Sequence, residues 1–108
     1  MSNNAYVVLL AGLALVAACP ALAEVDGAAL YQQHCAKCHG DDGRADNLRG
    51  KMFFAQDLAD ADWQARTSDE QILAAIRNGA RMMSGYAGKL SAEQQQALVQ
   101  VVRELRQP

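Results

Sequence analysis

The chemistry this chain could perform is concentrated in five residues, Cys35-Ala36-Lys37-Cys38-His39. Cys-x-x-Cys-His is the pattern through which a c-type haem is attached. Residues three and four apart on a helix lie on one face. Cys35 and Cys38 can therefore both reach a porphyrin edge and close thioether bonds, while His39 turns its imidazole toward the iron as proximal axial ligand. Other uses of the pair fit poorly. A closed zinc site takes four ligands, and no second Cys/His pair is present. Thioredoxin-like redox pairs sit beside βαβ patterns, and no segment here reads as a strand. A Cys35–Cys38 disulfide would close a very short, strained loop.

The elements that must position the motif read as helices. Asp26 is an N-cap for a helix beginning Gly27-Ala28-Ala29-Leu30. Gly27, Tyr31 and Cys35 recur every four residues on one face. A glycine in a first helical turn costs stability, which points to close approach of another helix at Gly27. The helix should run through the haem motif and end at Gly40 as an αL terminator. Residues 40–57 show no periodicity and read as a long irregular loop, whose Met52, Phe53 and Phe54 fold onto the ring or the core. A short segment then leads to Trp63, a core residue whose indole N–H needs a carbonyl or a haem propionate. Ser68 to Gln71 is a capping box opening a helix with an Ile72, Leu73, Ile76 stripe, ended by Asn78-Gly79. Ser91 to Gln94 is a second capping box, opening a helix with Leu98, Val101, Val102 and Leu105 on one face. The fold class is all-α, with three main helices around the haem.

Residues 1–23 differ from the rest. Tyr6 to Ala18 is almost continuously apolar, Ala21-Leu22-Ala23 is a small-x-small site, and every Asp, Glu, Lys and Arg lies beyond it. This reads as a secretory signal peptide cleaved after Ala23, although its n-region carries no Lys or Arg. The apolar run is too short for a membrane span, and Pro20 interrupts it. Val16-Ala17-Ala18-Cys19 offers a rival, lipidation of Cys19, and an uncleaved anchor is the third option. All three place a single domain, residues 24–108, outside the cytoplasm, in the periplasm. A domain of this size builds a modest core, and a covalent haem would supply the missing apolar volume. A net charge of −2 and a pI near 5.5 argue against a nucleic-acid partner.

The residues alone leave the sixth iron position to Met52, Met82, Met83 or His34, with His34 on the wrong side of the ring because it precedes Cys35. The chain from Gly27 onward resembles the class I monohaem cytochromes c of the small bacterial type. The resemblance rests on Gly27, Tyr31, Cys35, Cys38 and His39, on Ser68 to Gly79, and on Met83-Ser84-Gly85-Tyr86 followed by Gly88-Lys89-Leu90-Ser91. It implies the cytochrome c fold, one haem c per chain, His39 and Met83 as iron ligands, and Met82 as the alternative distal ligand. Three departures stand out. Ser84 occupies the usual proline position after the ligand. No proline in the loop offers its carbonyl to the ligand histidine, so another carbonyl must. Val101 replaces a common aromatic residue, which makes packing against Gly27 and Tyr31 less bulky.

Together these features imply an electron carrier rather than an enzyme, docking transiently with redox protein partners at the haem edge. Membrane contact arises only through a lipidated Cys19 or an uncleaved leader. Two other classes stand beside it: a haem module of a larger oxidoreductase, and a ligand-responsive haem protein with a labile methionine.

Overall fold

The computed structural model describes residues 2–3, 5–14 and 24–108 of the 108-residue chain. Cys19, Pro20 and the expected cleavage point after Ala23 lie outside the described residues. Residues 5–14 carry no regular secondary structure, and Tyr6, Val7, Leu9, Leu10 and Leu13 are exposed. Among the described residues no helix is long and apolar enough to cross a membrane.

The described residues form six helical segments and no strand: α1 (Gly27–His34), α2 (Ala36–His39), α3 (Leu48–Met52), α4 (Ala61–Arg66), α5 (Asp69–Asn78) and α6 (Ala92–Glu104). Their starts are chemical. Asp26 accepts from the Ala29 N–H, and Asp60 from that of Trp63. Ser68 and Ser91 each form a complete capping box, with Gln71 and Gln94 reaching back to the cap N–H at 2.8 Å. The stops at Gly40 and Gly79 are not αL. Their φ/ψ values of 79°/163° and 81°/169° lie in a region open essentially to glycine alone.

The first and last helices pack together at the start of α1. A Cβ on Gly27 would stand 3.0 Å from the Ala97 carbonyl oxygen and 3.0 Å from Val101 Cγ2, so the missing side chain is what lets the helices approach. Tyr31, Leu58, Ile72, Ile76, Leu90, Leu98, Val99 and Val102 form the core, with Val101, Leu105, Leu73 and Trp63 packed against it. Each fully buried aliphatic side chain, Leu98 and Val99 foremost, contributes about 1.5–3 kcal/mol. Val99 lies outside the apolar stripe expected for α6, whose Val101 and Leu105 are only partly buried.

Two buried glutamines join the layers. The Gln64 side-chain amide donates to the Leu58 and Val102 carbonyls at 2.7 and 2.8 Å. Its oxygen accepts from Arg103 Nη1 at 2.7 Å. Arg103 also donates to the Thr67 carbonyl at 2.6 Å and to Asp69 Oδ1 at 2.7 Å, so its planar fork ties α4, the α4–α5 turn, α5 and α6 together. Gln95 donates to the Leu90 carbonyl at 2.9 Å.

Gln64→Leu keeps the volume, strands the Leu58 carbonyl and an arginine N–H, and leaves the Val102 carbonyl only its bond from the Leu105 N–H. The expected loss is about 2–4 kcal/mol, from unsatisfied buried groups, read as a lower urea midpoint of the haem-loaded protein with an unchanged m-value. A loss under about 0.5 kcal/mol would show that this network does not hold α4 to α6.

Candidate haem-attachment site

The motif does not lie on one continuous helix. The ladder runs as far as the Cys35 N–H, which donates to the Tyr31 carbonyl at 2.8 Å, then breaks at Cys35 (φ −115°, ψ −38°). It restarts as the one-turn helix α2, with the His39 N–H donating to the Cys35 carbonyl at 3.0 Å. The expected single helix to Gly40 is thus two, with the first cysteine at the joint. Cys38 and His39 follow on the second segment, and both cysteines are free and half-buried. Burial, then the neighbouring Cys38, pushes the free Cys35 thiol up to about 11, so it is protonated at neutral pH.

His39 is held by its ring. Its Nδ1–H donates to the Gln56 carbonyl at 2.9 Å, which leaves Nε2 with a free lone pair. This is the carbonyl that the missing proline made necessary. Burial lowers the imidazole pKa, an effect partly opposed by the Gln56 bond, which keeps the ring in the neutral form able to coordinate a metal.

Around α2 the contacts are with backbone. The Tyr31 hydroxyl donates to the Gly40 carbonyl at 2.6 Å, and burial, first among its causes, holds that hydroxyl un-ionised well above the usual phenol range. Asn47 Nδ2 donates to the Cys38 carbonyl at 3.2 Å, while Asn47 Oδ1 caps α3 by accepting from the Gly50 N–H at 2.6 Å. Any Cβ on Gly50 would collide with the Cys38 and Ala45 carbonyl oxygens. The Ala45 N–H donates to the His39 carbonyl at 2.7 Å. Residues 40–57 are therefore a clamp with its own short helix. Five helical residues show no periodicity to read, and the one available signal was Asn47 as a cap.

The distal candidates occupy a tight loop after α5. Ala80 and Met83 exchange both backbone hydrogen bonds, at 3.1 and 2.9 Å, around a two-residue turn in which Arg81 is left-handed (φ 52°). Met83 is half-buried and Met82, on the turn, is 57 % exposed. Two glycines brace the loop where a proline was expected: a Cβ on Gly85 would stand 2.5 Å from the Arg77 carbonyl oxygen, and one on Gly79 would stand 2.5 Å from that of Met83. The Tyr86 and Ala87 N–H groups donate to the Ile76 and Arg77 carbonyls at 2.8 and 3.0 Å. The Tyr86 hydroxyl reaches the His34 carbonyl at 3.2 Å and its ring meets that of His34 edge-on, tying this loop to the end of α1. Sequence reading missed that latch, since nothing in the spacing of residues 34 and 86 announces it.

The residues fit a haem. Two free thiols one helical turn apart adjoin an imidazole with one nitrogen tied and the other free. The polypeptide leaves Leu48, Met52 and Phe54 in solvent at 61–76 % exposure, with Phe53 at 37 % and Met82 at 57 %. Met52, Phe53 and Phe54 do not join the core, which removes one of their two expected destinations. Among the described residues no cluster of three His, Cys, Asp or Glu could hold a metal unaided; a porphyrin brings four of its own nitrogens.

A strandless helical domain that holds a Cys-x-x-Cys-His turn by its backbone is a c-type cytochrome. Residues 23–100 match the family described as cytochrome C oxidase, cbb3-type, subunit III, and the chain belongs to that family of cytochrome c domains. It is similar to the solved structure of the KustC0563 c-type cytochrome, at 45% identity and a TM-score of 0.72, over 77% of this chain and 100% of that one. It is also similar to the structure of a tyrosine-to-phenylalanine mutant of Kustc0563, at 44% identity and a TM-score of 0.69, over 76% of this chain and 100% of that one. No curated protein matches. The family implies covalent haem c, electron transfer and redox protein partners.

Asn47→Ala removes a helix cap and the bond to the Cys38 carbonyl at once. We expect the haem-loaded protein to lose about 1–2 kcal/mol, measured as a fall in urea midpoint, with Asn47→Asp recovering the cap but not the bond to Cys38.

Proposed function

We propose that the chain is a periplasmic monohaem electron carrier, with one haem c bound through Cys35 and Cys38 and its iron ligated by His39 and Met83. The observation that carries this reading is the His39 ring: Nδ1 is committed to the Gln56 carbonyl and Nε2 is free, one residue from a half-buried cysteine. The group, when bound, supplies a one-electron ferric–ferrous couple whose potential a thioether ligand raises. Every other task falls to the chain. Gln56 fixes the imidazole tautomer and orientation. The clamp of Asn47, Gly50 and Tyr31 keeps α2 from fraying. Leu48, Met52, Phe53 and Phe54 offer the apolar surface against which a macrocycle is sheltered from water. Trp63, half-buried against the core, offers its indole N–H to a propionate.

Met83 is favoured over Met82 as the distal ligand because the reciprocal bonds to Ala80 and the close fit of Gly79 fix its backbone, whereas Met82 sits on the exposed turn. The same bracing speaks against a labile methionine despite Ser84. Export rests on the apolar leader and its Ala-Leu-Ala site. A second reading, a haem module of a larger oxidoreductase, is favoured by the oxidase-subunit description of the matched family. Co-purification with an oxidase from native membranes at high salt would favour it over a diffusing carrier.

The test is spectroscopic. With haem attached, the protein should be low-spin in both oxidation states and show the weak near-infrared methionine–iron band in the ferric form. Met83→Ala abolishes that band and Met82→Ala keeps it; a ferrous native protein that is high-spin and binds carbon monoxide readily would replace the carrier by a ligand-binding haem. A second expectation concerns folding. Cys35→Ser/Cys38→Ser, which cannot attach haem, should be largely unfolded by circular dichroism, because a domain this small lacks core volume; a cooperative native-like melt would refute this.

A further inference from the structure

The loop that carries Met82 and Met83 is tied on two sides, and the ties differ in kind. Toward α5 it is held by backbone. Ala80 and Met83 exchange amide bonds at 3.1 and 2.9 Å, and the Tyr86 and Ala87 N–H groups donate to the Ile76 and Arg77 carbonyls at 2.8 and 3.0 Å. Toward the cysteine motif it is held by one side chain. Among the described residues, the bond from the Tyr86 hydroxyl to the His34 carbonyl, at 3.2 Å, is the only hydrogen bond between residues 79–90 and residues 27–40.

The acceptor of that bond is where the helix fails. In an unbroken helix the Cys38 N–H would donate to the His34 carbonyl. Here it donates to the Cys35 carbonyl at 3.2 Å, because the ladder breaks at Cys35. The break leaves the His34 oxygen without its amide, and the Tyr86 hydroxyl takes the vacant place. Burial raises the phenol's pKa above its usual value, so the hydroxyl remains a donor across the neutral range. The Tyr86 ring has partners of its own. The His34 imidazole meets it edge-on at 5.3 Å between centroids, and the Lys89 ammonium stands 5.7 Å from its centroid. Those contacts belong to the ring; the joint between α1 and α2 belongs to the hydroxyl.

We infer that the Tyr86 hydroxyl is a positioning group for the electron-transfer centre: by closing the joint at His34 it holds the Met83 loop to the Cys-x-x-Cys-His turn, and so governs how often the Met83 sulfur leaves the iron. This rests on the His39 and Met83 ligation proposed above. On that reading the iron is fixed to α2 through His39, while the backbone of Met83 is fixed to the end of α5, so the iron–sulfur bond spans two segments. The hydroxyl is the polar tie between those segments. Without it the ring keeps its contacts, but the loop loses its bond to the motif and the Met83 sulfur loses its support.

Tyr86→Phe keeps the ring and deletes the tie. Ferrous haem-loaded protein is mixed in a stopped flow with saturating carbon monoxide, where binding to the native protein proceeds at the rate of sulfur dissociation. In Tyr86→Phe that rate should rise about three- to tenfold, the span that one net hydrogen bond covers, with the helix content by circular dichroism unchanged. General destabilisation is separated by Arg103→Gln, which breaks bonds to Gln64, Thr67 and Asp69, all outside residues 79–90. That variant should lower the urea midpoint and leave the carbon monoxide rate native. A Tyr86→Phe rate equal to native overturns the proposal. So does an Arg103→Gln rate raised as much as that of Tyr86→Phe, or a loss of helix in Tyr86→Phe, since the residue would then serve stability alone. A native ferric protein without the methionine–iron band, or a band that Met82→Ala removes, fails the Met83 reading and the proposal with it; a native band with an unchanged Tyr86→Phe rate fails the proposal alone.

Discussion

A helix of one turn cannot hold itself together, and α2 is such a helix. It has no fully buried residue, and an isolated turn fixes several dihedrals in return for a single hydrogen bond. Yet it must keep Cys38 and His39 in place beside Cys35. The surrounding architecture can be understood as the means of doing so: a tyrosine from α1 on its terminal glycine, an asparagine and a glycine from the α3 region on the Cys38 carbonyl, and a loop carbonyl on the imidazole. Each of these partners acts on a backbone group or on a ring nitrogen that the chemistry does not use. The thiols and Nε2 are left free because the holding is done elsewhere.

The loop that carries Met82 and Met83 uses a different device. In place of a proline that stiffens the chain by its ring, two glycines remove side chains so that neighbouring backbone can close to contact distance. The loop is confined by packing and by paired amides rather than by restricted φ. The Tyr86 latch to His34 then connects it to the end of the helix that leads into Cys35, so this loop and the Cys-x-x-Cys-His turn share a mechanical link.

How much could be read beforehand differs by element. The helices α5 and α6 declared themselves through two serine capping boxes and apolar stripes, and the close approach at Gly27 followed from a glycine where glycine is costly. The family was legible because the types and spacing of the Cys-x-x-Cys-His residues leave little other chemistry. The break at Cys35 was not, since φ/ψ at one residue leaves no mark on a periodicity. Neither was the clamp in 40–57, where the informative residues, Asn47 and Gly50, act through backbone groups distant in sequence. The burial of Gln64 and Gln95 left no mark in the sequence, because an amide's burial depends on the carbonyls that the fold brings to it.

The crossing of α1 with α6 has a consequence in time. The helix that leads to Cys35 finds its packing partner at Gly27 only in Ala97 and Val101, roughly seventy residues later. Until α6 is in place Tyr31 lacks core partners in Leu98, Val99 and Val102, and Cys35, Cys38 and His39 belong to a chain that has not closed. The order of residues along the polypeptide thus leaves the segment with the two thiols open until the last helix has joined the first.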